Sequence, residues 1–302
     1  MHRALATWLT EHPWRAVIAI AFCGALSQLM LPFTVLACAI PVLTVLRFDA
    51  RFGFITAAVG AGTACWVVYS LVPTVMPGTY SGIALAFFSP VALAVLLKRT
   101  GSLNLCFQVA VLAAGVLLVI VHVALADPIG AWKAPLTQLL DTMQPSGLTQ
   151  ADRDAIVVAL ARPMWGALGA FALATVFGAL LLGRWWDSLL RPELGAFGRE
   201  YQQLRLGVVL GVAVTVLFVL AMVTDVALIS WLTWIAFMAL TFQGLSAAHR
   251  SRAGGRLNRG WLVAIYLLLI VPLPPSMMLT LVVLALWGFA DNWLRPRRSA
   301  SL

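Results

Sequence analysis

Long apolar runs alternate with short polar segments along the whole chain. About 20 apolar residues cross the hydrocarbon core of a bilayer as one helix. The pattern therefore predicts an all-α fold, a polytopic transmembrane helical bundle with eight to ten membrane segments. Two of the ten runs are short (32–46 and 260–271), and the sequence leaves open whether they span fully. The runs lie at residues 14–31, 32–46, 53–76, 80–97, 104–126, 164–183, 206–224, 226–245, 260–271 and 277–293.

The polar segments between the runs are too short to form a soluble domain. We predict a single integral membrane domain over residues 1–302. It carries an amphipathic loop at 127–162 and a polar segment at 184–205, predicted to lie on opposite sides of the membrane.

The 127–162 loop has two helical signals. Thr149 is followed at the third position by Asp152, which is the spacing of a capped helix start. An interfacial helical hairpin is predicted here, and a solvated loop is the alternative. The apolar residues that recur at helical spacing in the first half of the loop are Leu136, Leu139, Leu140 and Met143.

The positive charges follow the same alternation. With the N-terminus in the cytoplasm, 17 of the 20 Lys and Arg residues fall in cytoplasmic segments, and only Lys133, Arg153 and Arg162 lie outside. Such a bias sets the orientation of membrane helices. It predicts that both termini are cytoplasmic, as in a multi-pass protein of the bacterial inner membrane, with 127–162 on the outer side.

Composition supports a membrane partner and argues against nucleic acid. The chain is 62% hydrophobic and 10% charged, with a mean hydropathy of +0.96. Its net charge of +9 comes from basic residues that flank apolar runs, where anionic lipid headgroups attract them. The lipid bilayer is therefore the expected partner, and no nucleic acid is expected.

No reactive constellation is recognisable in the sequence. It has no His-Glu-x-x-His motif, no Gly-x-Ser-x-Gly elbow, no Walker loop and no paired carboxylates inside a span. The four cysteines are isolated in apolar runs, without metal or redox spacing. We therefore predict a protein that is not an enzyme and that has neither a cofactor nor a metal site.

Two functions remain open. The first is a small-solute binding or transport-related component. Its candidate ligand-binding residues are the polar and aromatic side chains of the spans and their outer ends, which are Gln28, Tyr69, His122, Asp225 and Trp234.

The second function is a membrane scaffold. It would dock a cytoplasmic or membrane protein through residues 184–205 and the basic loop 247–259. The candidate docking residues combine positive charge with aromatic and acidic groups, and they are Arg184, Trp185, Trp186, Arg199, Glu200 and Arg205.

Several motifs resemble the YybS-like bacterial inner-membrane proteins, a family without an assigned activity. They are Gly183-Arg-Trp-Trp, the turn from Pro192 to Phe197, Arg199-Glu-Tyr-Gln-Gln-Leu-Arg205, Gly244 to His249 and Ala290-Asp-Asn-Trp-Leu294. The family is similar in fold to the substrate-binding S components of energy-coupling-factor vitamin transporters. The resemblance implies a compact helical bundle with a pocket that opens to the outer side, and it implies no ligand and no catalytic residue.

Overall fold

Helices account for nearly all of the described chain. The computed structural model describes residues 2–71, 78–143, 149–191, 195–270 and 274–294, and these contain no strand. The helices are α1 (His2–Glu11), α2 (Pro13–Leu26), α3 (Leu31–Arg47), α4 (Ala50–Leu71), α5 (Thr79–Thr100), α6 (Leu103–Ala124), α7 (Lys133–Met143), α8 (Gln150–Ala161), α9 (Met164–Leu189), α10 (Ala196–Tyr201), α11 (Gly207–Val223), α12 (Ala227–Ala253), α13 (Arg259–Ile270) and α14 (Pro274–Leu294), with a single 3₁₀ turn at Gly130–Trp132.

Six helices within the described residues are long and apolar enough to cross a membrane: α4, α5, α6, α9, α12 and α14. The chain is thus an all-α polytopic membrane protein, as predicted. Four more apolar helices are shorter, namely α2, α3, α11 and α13. The total of eight to ten segments depends on these four and stays a prediction, as do the cytoplasmic termini.

The lengths of α3 and α13 bear on whether the two short apolar runs, 32–46 and 260–271, can span the membrane. An α-helix rises about 1.5 Å per residue, and the hydrocarbon core is about 30 Å thick. The 17 residues of α3 therefore cover about 26 Å, whereas the 12 residues of α13 cover about 18 Å. By itself, α13 is too short to cross the core.

The chain divides into two compact units. Unit 1 comprises Met1–Ala110 and Ala172–Leu204, and unit 2 comprises Val111–Phe171 and Arg205–Leu302. Helices α6 and α9 each contribute residues to both units. The prediction of one integral membrane domain stays a prediction.

Unit 1 is built on α2, α3, α4 and α5, which pack on one another. Helices α2 and α4 approach closely, because a Cβ on Gly24 would lie 2.7 Å from the carbonyl oxygen of Gly60. Where α3 turns into α4, the ammonium of Lys98 donates to the carbonyls of Val45 and Phe48, at 2.8 Å each. Lys98 thus satisfies carbonyl groups that the end of α3 leaves free.

Unit 2 is built on α12 and α14, which cross at two glycines. A Cβ on Gly244 would overlap the carbonyl oxygen of Leu284, and a Cβ on Gly288 would overlap that of Leu240. Only glycine allows the two backbones to approach this closely, a common arrangement between membrane helices.

Side chains from these two helices also hold the start of α11. The Gln243 amide oxygen accepts from the backbone N–H of Leu206 at 3.0 Å. The Asn292 amide makes two bonds to Gly207, accepting from its N–H at 3.2 Å and donating to its carbonyl at 3.0 Å. The first turn of a helix leaves backbone N–H groups without partners. Tertiary contacts supply these partners at α11.

The 127–162 segment contains two helices, α7 and α8, that pack on each other. Leu136, Val157 and Ala161 form a small buried cluster between them. Its partly buried surroundings are Ile129, Trp132, Leu140 and Met164. A helical hairpin has formed where it was predicted, and its position at a membrane surface stays a prediction.

The start of α8 has the predicted cap. The N–H of Asp152 donates to the Thr149 hydroxyl at 3.2 Å, and the Asp152 carboxylate accepts from the Thr149 N–H at 3.0 Å. The hydrogen bonds from Thr149 lower the pKa of the Asp152 carboxyl below its ordinary value. The stabilisation by this cap is therefore fully present when the pH is above the ordinary pKa of an aspartate. It is lost as the pH falls through the lowered pKa of Asp152.

The glycine crossing of unit 2 can be tested by adding one methyl group. We expect Gly244→Ala to lower the thermal-unfolding midpoint in detergent, because the backbone of α14 cannot yield as a flexible side chain can; overpacking of this kind costs about 1–3 kcal/mol. Gly115→Ala is the control within the same unit, since its Cβ would make an ordinary contact of 3.6 Å with Leu232. Equal midpoints for the two variants would contradict a tight α12–α14 crossing.

Candidate functional site

A buried carboxylate organises the end of α9 in unit 1. The Asp187 side chain is 1% exposed and is contacted by three guanidinium groups. Arg184 Nη1 and Arg191 Nε each donate to Asp187 Oδ2 at 2.9 Å. Arg47 approaches Oδ1 with Nε at 2.8 Å, and its Nη2 donates to the Asp187 carbonyl at 2.7 Å.

Local and distant residues both build this group. Arg184 and Asp187 lie three residues apart on α9, and Arg191 lies four residues after Asp187, just beyond the end of the helix. The two arginines therefore reach the acid from either side along the chain. Arg47 is the last residue of α3 and comes from 140 positions earlier in the chain. The carboxylate therefore ties the end of α3 to the end of α9.

The same cluster fixes the short helix α10. Arg184 also binds the Glu200 carboxylate with two nitrogens, one of them Nε at 3.0 Å. Two parallel N–H···O bonds between a guanidinium and a carboxylate set the orientation as well as the distance. Helix α10 follows Gly195, whose φ of +83° suits glycine, and its position relative to α9 is set by this bidentate pair.

The predicted docking residues therefore differ in their availability. Arg184 and Trp186 are buried, so their side chains support the segment from inside. Trp185 is half-buried, with its ring 5.0 Å from that of His2, whereas Arg199 is exposed on α10. Arg205 belongs to unit 2, where its Nη2 donates to the Asn292 carbonyl at 2.8 Å.

Three of the predicted ligand-binding residues, His122, Asp225 and Trp234, lie in unit 2. A chain of contacts connects Asp225 with His122. Asp225 forms an ion pair with Arg162, and its carbonyl also accepts from Arg162 at 2.6 Å. The Arg162 carbonyl accepts from the Trp231 indole at 2.7 Å. The Trp231 ring lies edge-to-face with His122, at 5.5 Å between centroids.

The third, Trp234, packs one turn further along α12. A Cβ on Gly166 would lie 2.7 Å from both the Trp231 Cα and the Trp234 ring. Helix α9 therefore meets α12 at a glycine, and the two tryptophans fill the space beside it. Trp231 is fully buried, so it belongs to the core of unit 2.

Gln28 and Tyr69 are not part of this group. Both belong to unit 1. The Gln28 amide donates to the neighbouring Ser27 hydroxyl at 3.0 Å, and Tyr69 is 77% exposed.

Several residues of the Asp187 cluster and of the Arg162–Asp225 contacts were not predicted from the sequence. Asp187 had a readable signal, because it stands between Arg184 and Arg191 at helical spacing. Arg47 had none, since only the tertiary structure brings α3 to α9. Arg162 was recognised only as an exception to the charge bias, and its pairing with Asp225 spans 63 positions.

These two groups hold helix ends in place through ion pairs and hydrogen bonds. The Asp187 carboxylate is surrounded by the guanidinium groups of Arg47, Arg184 and Arg191. Within the described residues, no three His, Cys, Asp or Glu side chains lie close enough together to hold a metal ion.

Comparison with family models, with curated proteins and with solved structures found no match to this chain. The resemblance to YybS-like proteins and the similarity to S components therefore stay predictions.

Neutralising Asp187 should destabilise the protein strongly. In Asp187→Asn three guanidinium groups lose their shared anion, and breaking a buried pair costs about 3–5 kcal/mol. Asp141→Asn is the control: this exposed acid pairs with Arg153 at 3.1 Å, and such a surface pair is worth roughly 0–1 kcal/mol. Unfolding in detergent, followed by circular dichroism, measures both. Similar losses in the two variants would disprove the organising role of Asp187.

Proposed function

We propose that the protein is a non-enzymatic component of the bacterial inner membrane that binds a small polar solute as part of transport. The observation that supports this best is the exposed Arg162–Asp225 ion pair, which is connected to His122 through Trp231. The coarse part of the proposal, a multi-pass membrane protein, is established by the six apolar helices.

The ion pair is suited to exchange its partner for a ligand. The Asp225 side chain is 89% exposed and that of Arg162 is 41% exposed. An ion pair in such a setting contributes at most about 1 kcal/mol, so a solute group can replace either member at little cost. A carboxylate on the solute would bind Arg162, and an ammonium group would bind Asp225.

The imidazole of His122 offers a further contact to a solute. Among the described residues, His122 Nδ1 is buried without a hydrogen-bond partner. A buried polar atom in this condition costs free energy until a partner arrives. A polar solute could supply that partner, which would favour the bound state.

A thermal-shift screen of the purified protein tests this function. A solute that binds the folded state raises the unfolding midpoint by mass action. We expect a hit among zwitterionic or carboxylate-bearing solutes, and we expect Asp225→Asn or Arg162→Gln to reduce that shift.

Asp154→Asn serves as the control for the screen, because it removes an exposed acid of α8 that bonds to Gln150 and is not part of the Arg162–Asp225 pair. An equal reduction in the control would contradict the Arg162–Asp225 site. A complete screen without any stabilising solute would contradict solute binding.

A second function, a scaffold for a cytoplasmic or membrane protein, is favoured by a different observation. Helix α10 is held in place by the Arg184–Glu200 pair, while Arg199 on the same helix is exposed. A fixed element that displays a charge can recognise an acidic partner, because little conformational entropy is lost on docking.

Charge reversal at Arg199 tests the scaffold function. Arg199→Glu should abolish co-purification of a partner after cross-linking in membranes, while membrane insertion stays normal. Arg99→Glu is the matched control, since it reverses another exposed charge of unit 1. Changing Arg205 would be less informative, because its bond to Asn292 is structural. A partner that Arg199→Glu retains, or that Arg99→Glu loses equally, would disprove this role.

A further inference from the structure

The Asp187 cluster carries more positive than negative charge. Among the described residues, Arg47, Arg184 and Arg191 share the carboxylate of Asp187, and Arg184 alone pairs with a second acid, Glu200. Lys98 adds another cation nearby, bonded to the carbonyls of Val45 and Phe48 rather than to an acid. Among the described residues, these four cations outnumber the acids beside them, which are Asp187, Glu200 and, next to Phe48, Asp49. The excess positive charge attracts a further anion.

Arg191 has the donors to hold that anion. Its Nε is used by Asp187 at 2.9 Å, and its side chain is 50% exposed. Among the described residues, its two terminal nitrogens have no protein acceptor. A guanidinium fork binds the oxygens of a phosphate group with two parallel hydrogen bonds, which the ammonium of lysine cannot do.

The cluster lies where membrane helices end. Arg47 is the last residue of α3, Lys98 lies in the last turn of α5, and Arg191 follows the last residue of α9 by two positions. Phospholipid phosphates lie just outside the hydrocarbon core, at the level where apolar helices end. Basic groups between such ends bind anionic lipid headgroups.

We propose that this cluster binds the phosphate of an anionic phospholipid, with Arg191 as the main donor and Arg47 and Lys98 supplying the surrounding positive charge. The lipid is favoured over free phosphate because the acyl chains would extend along the apolar helices that end at the cluster. The site belongs to unit 1, whereas the proposed solute site belongs to unit 2, so failure of one proposal leaves the other standing.

Lipid titration of the delipidated protein tests the proposal. The protein in a neutral detergent is titrated with short-chain phosphatidylglycerol, phosphatidylcholine or inorganic phosphate, and binding is followed by native mass spectrometry and thermal shift. We expect binding and stabilisation by phosphatidylglycerol, with much weaker effects of the other two. Equal binding of phosphatidylcholine would overturn the proposal, and so would an inorganic phosphate effect that equals that of the anionic lipid.

Substitution of Arg191 locates the site. Arg191→Gln should weaken phosphatidylglycerol binding about fivefold, the order expected for one basic side chain at a membrane surface. Asp187 keeps Arg47 and Arg184 in this variant, so the fold should persist. Arg3→Gln is the matched control, because it removes an exposed arginine of the same unit that is not part of the cluster, and it should change binding less than about twofold.

Arg191→Lys separates geometry from charge. It retains the positive charge but loses the guanidinium fork, so we expect binding between that of the wild type and that of Arg191→Gln. This variant also replaces Arg191→Gln if the latter unfolds. Wild-type affinity in Arg191→Lys, or an equal loss in Arg3→Gln, would overturn the assignment of Arg191 as the phosphate donor.

Discussion

A buried charge needs its counter-charges supplied by the protein, because neither lipid nor the packed interior can solvate it. Asp187 meets this constraint with three arginines, and the end of unit 1 where α3, α9 and α10 meet depends on it. Arg47 brings the end of α3, Arg184 brings α10 through Glu200, and Arg191 remains half-exposed. Without the carboxylate these cations would repel one another, and the three elements would lose their common anchor.

Unit 2 meets the related constraint on backbone groups with neutral side chains. Gln243 and Asn292 satisfy the N–H groups at the start of α11, and Gly244 lets α12 and α14 approach closely enough to place those amides. Backbone groups at a helix start are costly to leave unpaired in an apolar environment. Gly244 and the amides of Gln243 and Asn292 thus fix the start of α11 in unit 2. The Asp187 cluster fixes the ends of α3 and α9 in unit 1.

The proposed solute site and the proposed lipid site both use charged side chains that are partly exposed. Arg162 and Asp225 pair at an exposed position where the pair contributes little stability, so exchange with a solute is cheap. Arg191 donates to Asp187 through Nε, and in the proposed lipid site its terminal nitrogens would bind the phosphate. Under both proposals, a charged residue that pairs within the protein would also bind a ligand.

The sequence by itself determined the helical membrane class, the positions of the long apolar helices and the capped hairpin at α7 and α8, because these depend on local hydrophobicity and on neighbours three or four residues apart. It could also have shown Asp187 between two arginines. Only the tertiary structure decided that Arg47 reaches Asp187, that Arg162 pairs with Asp225, and that Arg184 and Trp186 face inward. These contacts join residues far apart in the chain, and no local pattern specifies which helix ends will meet.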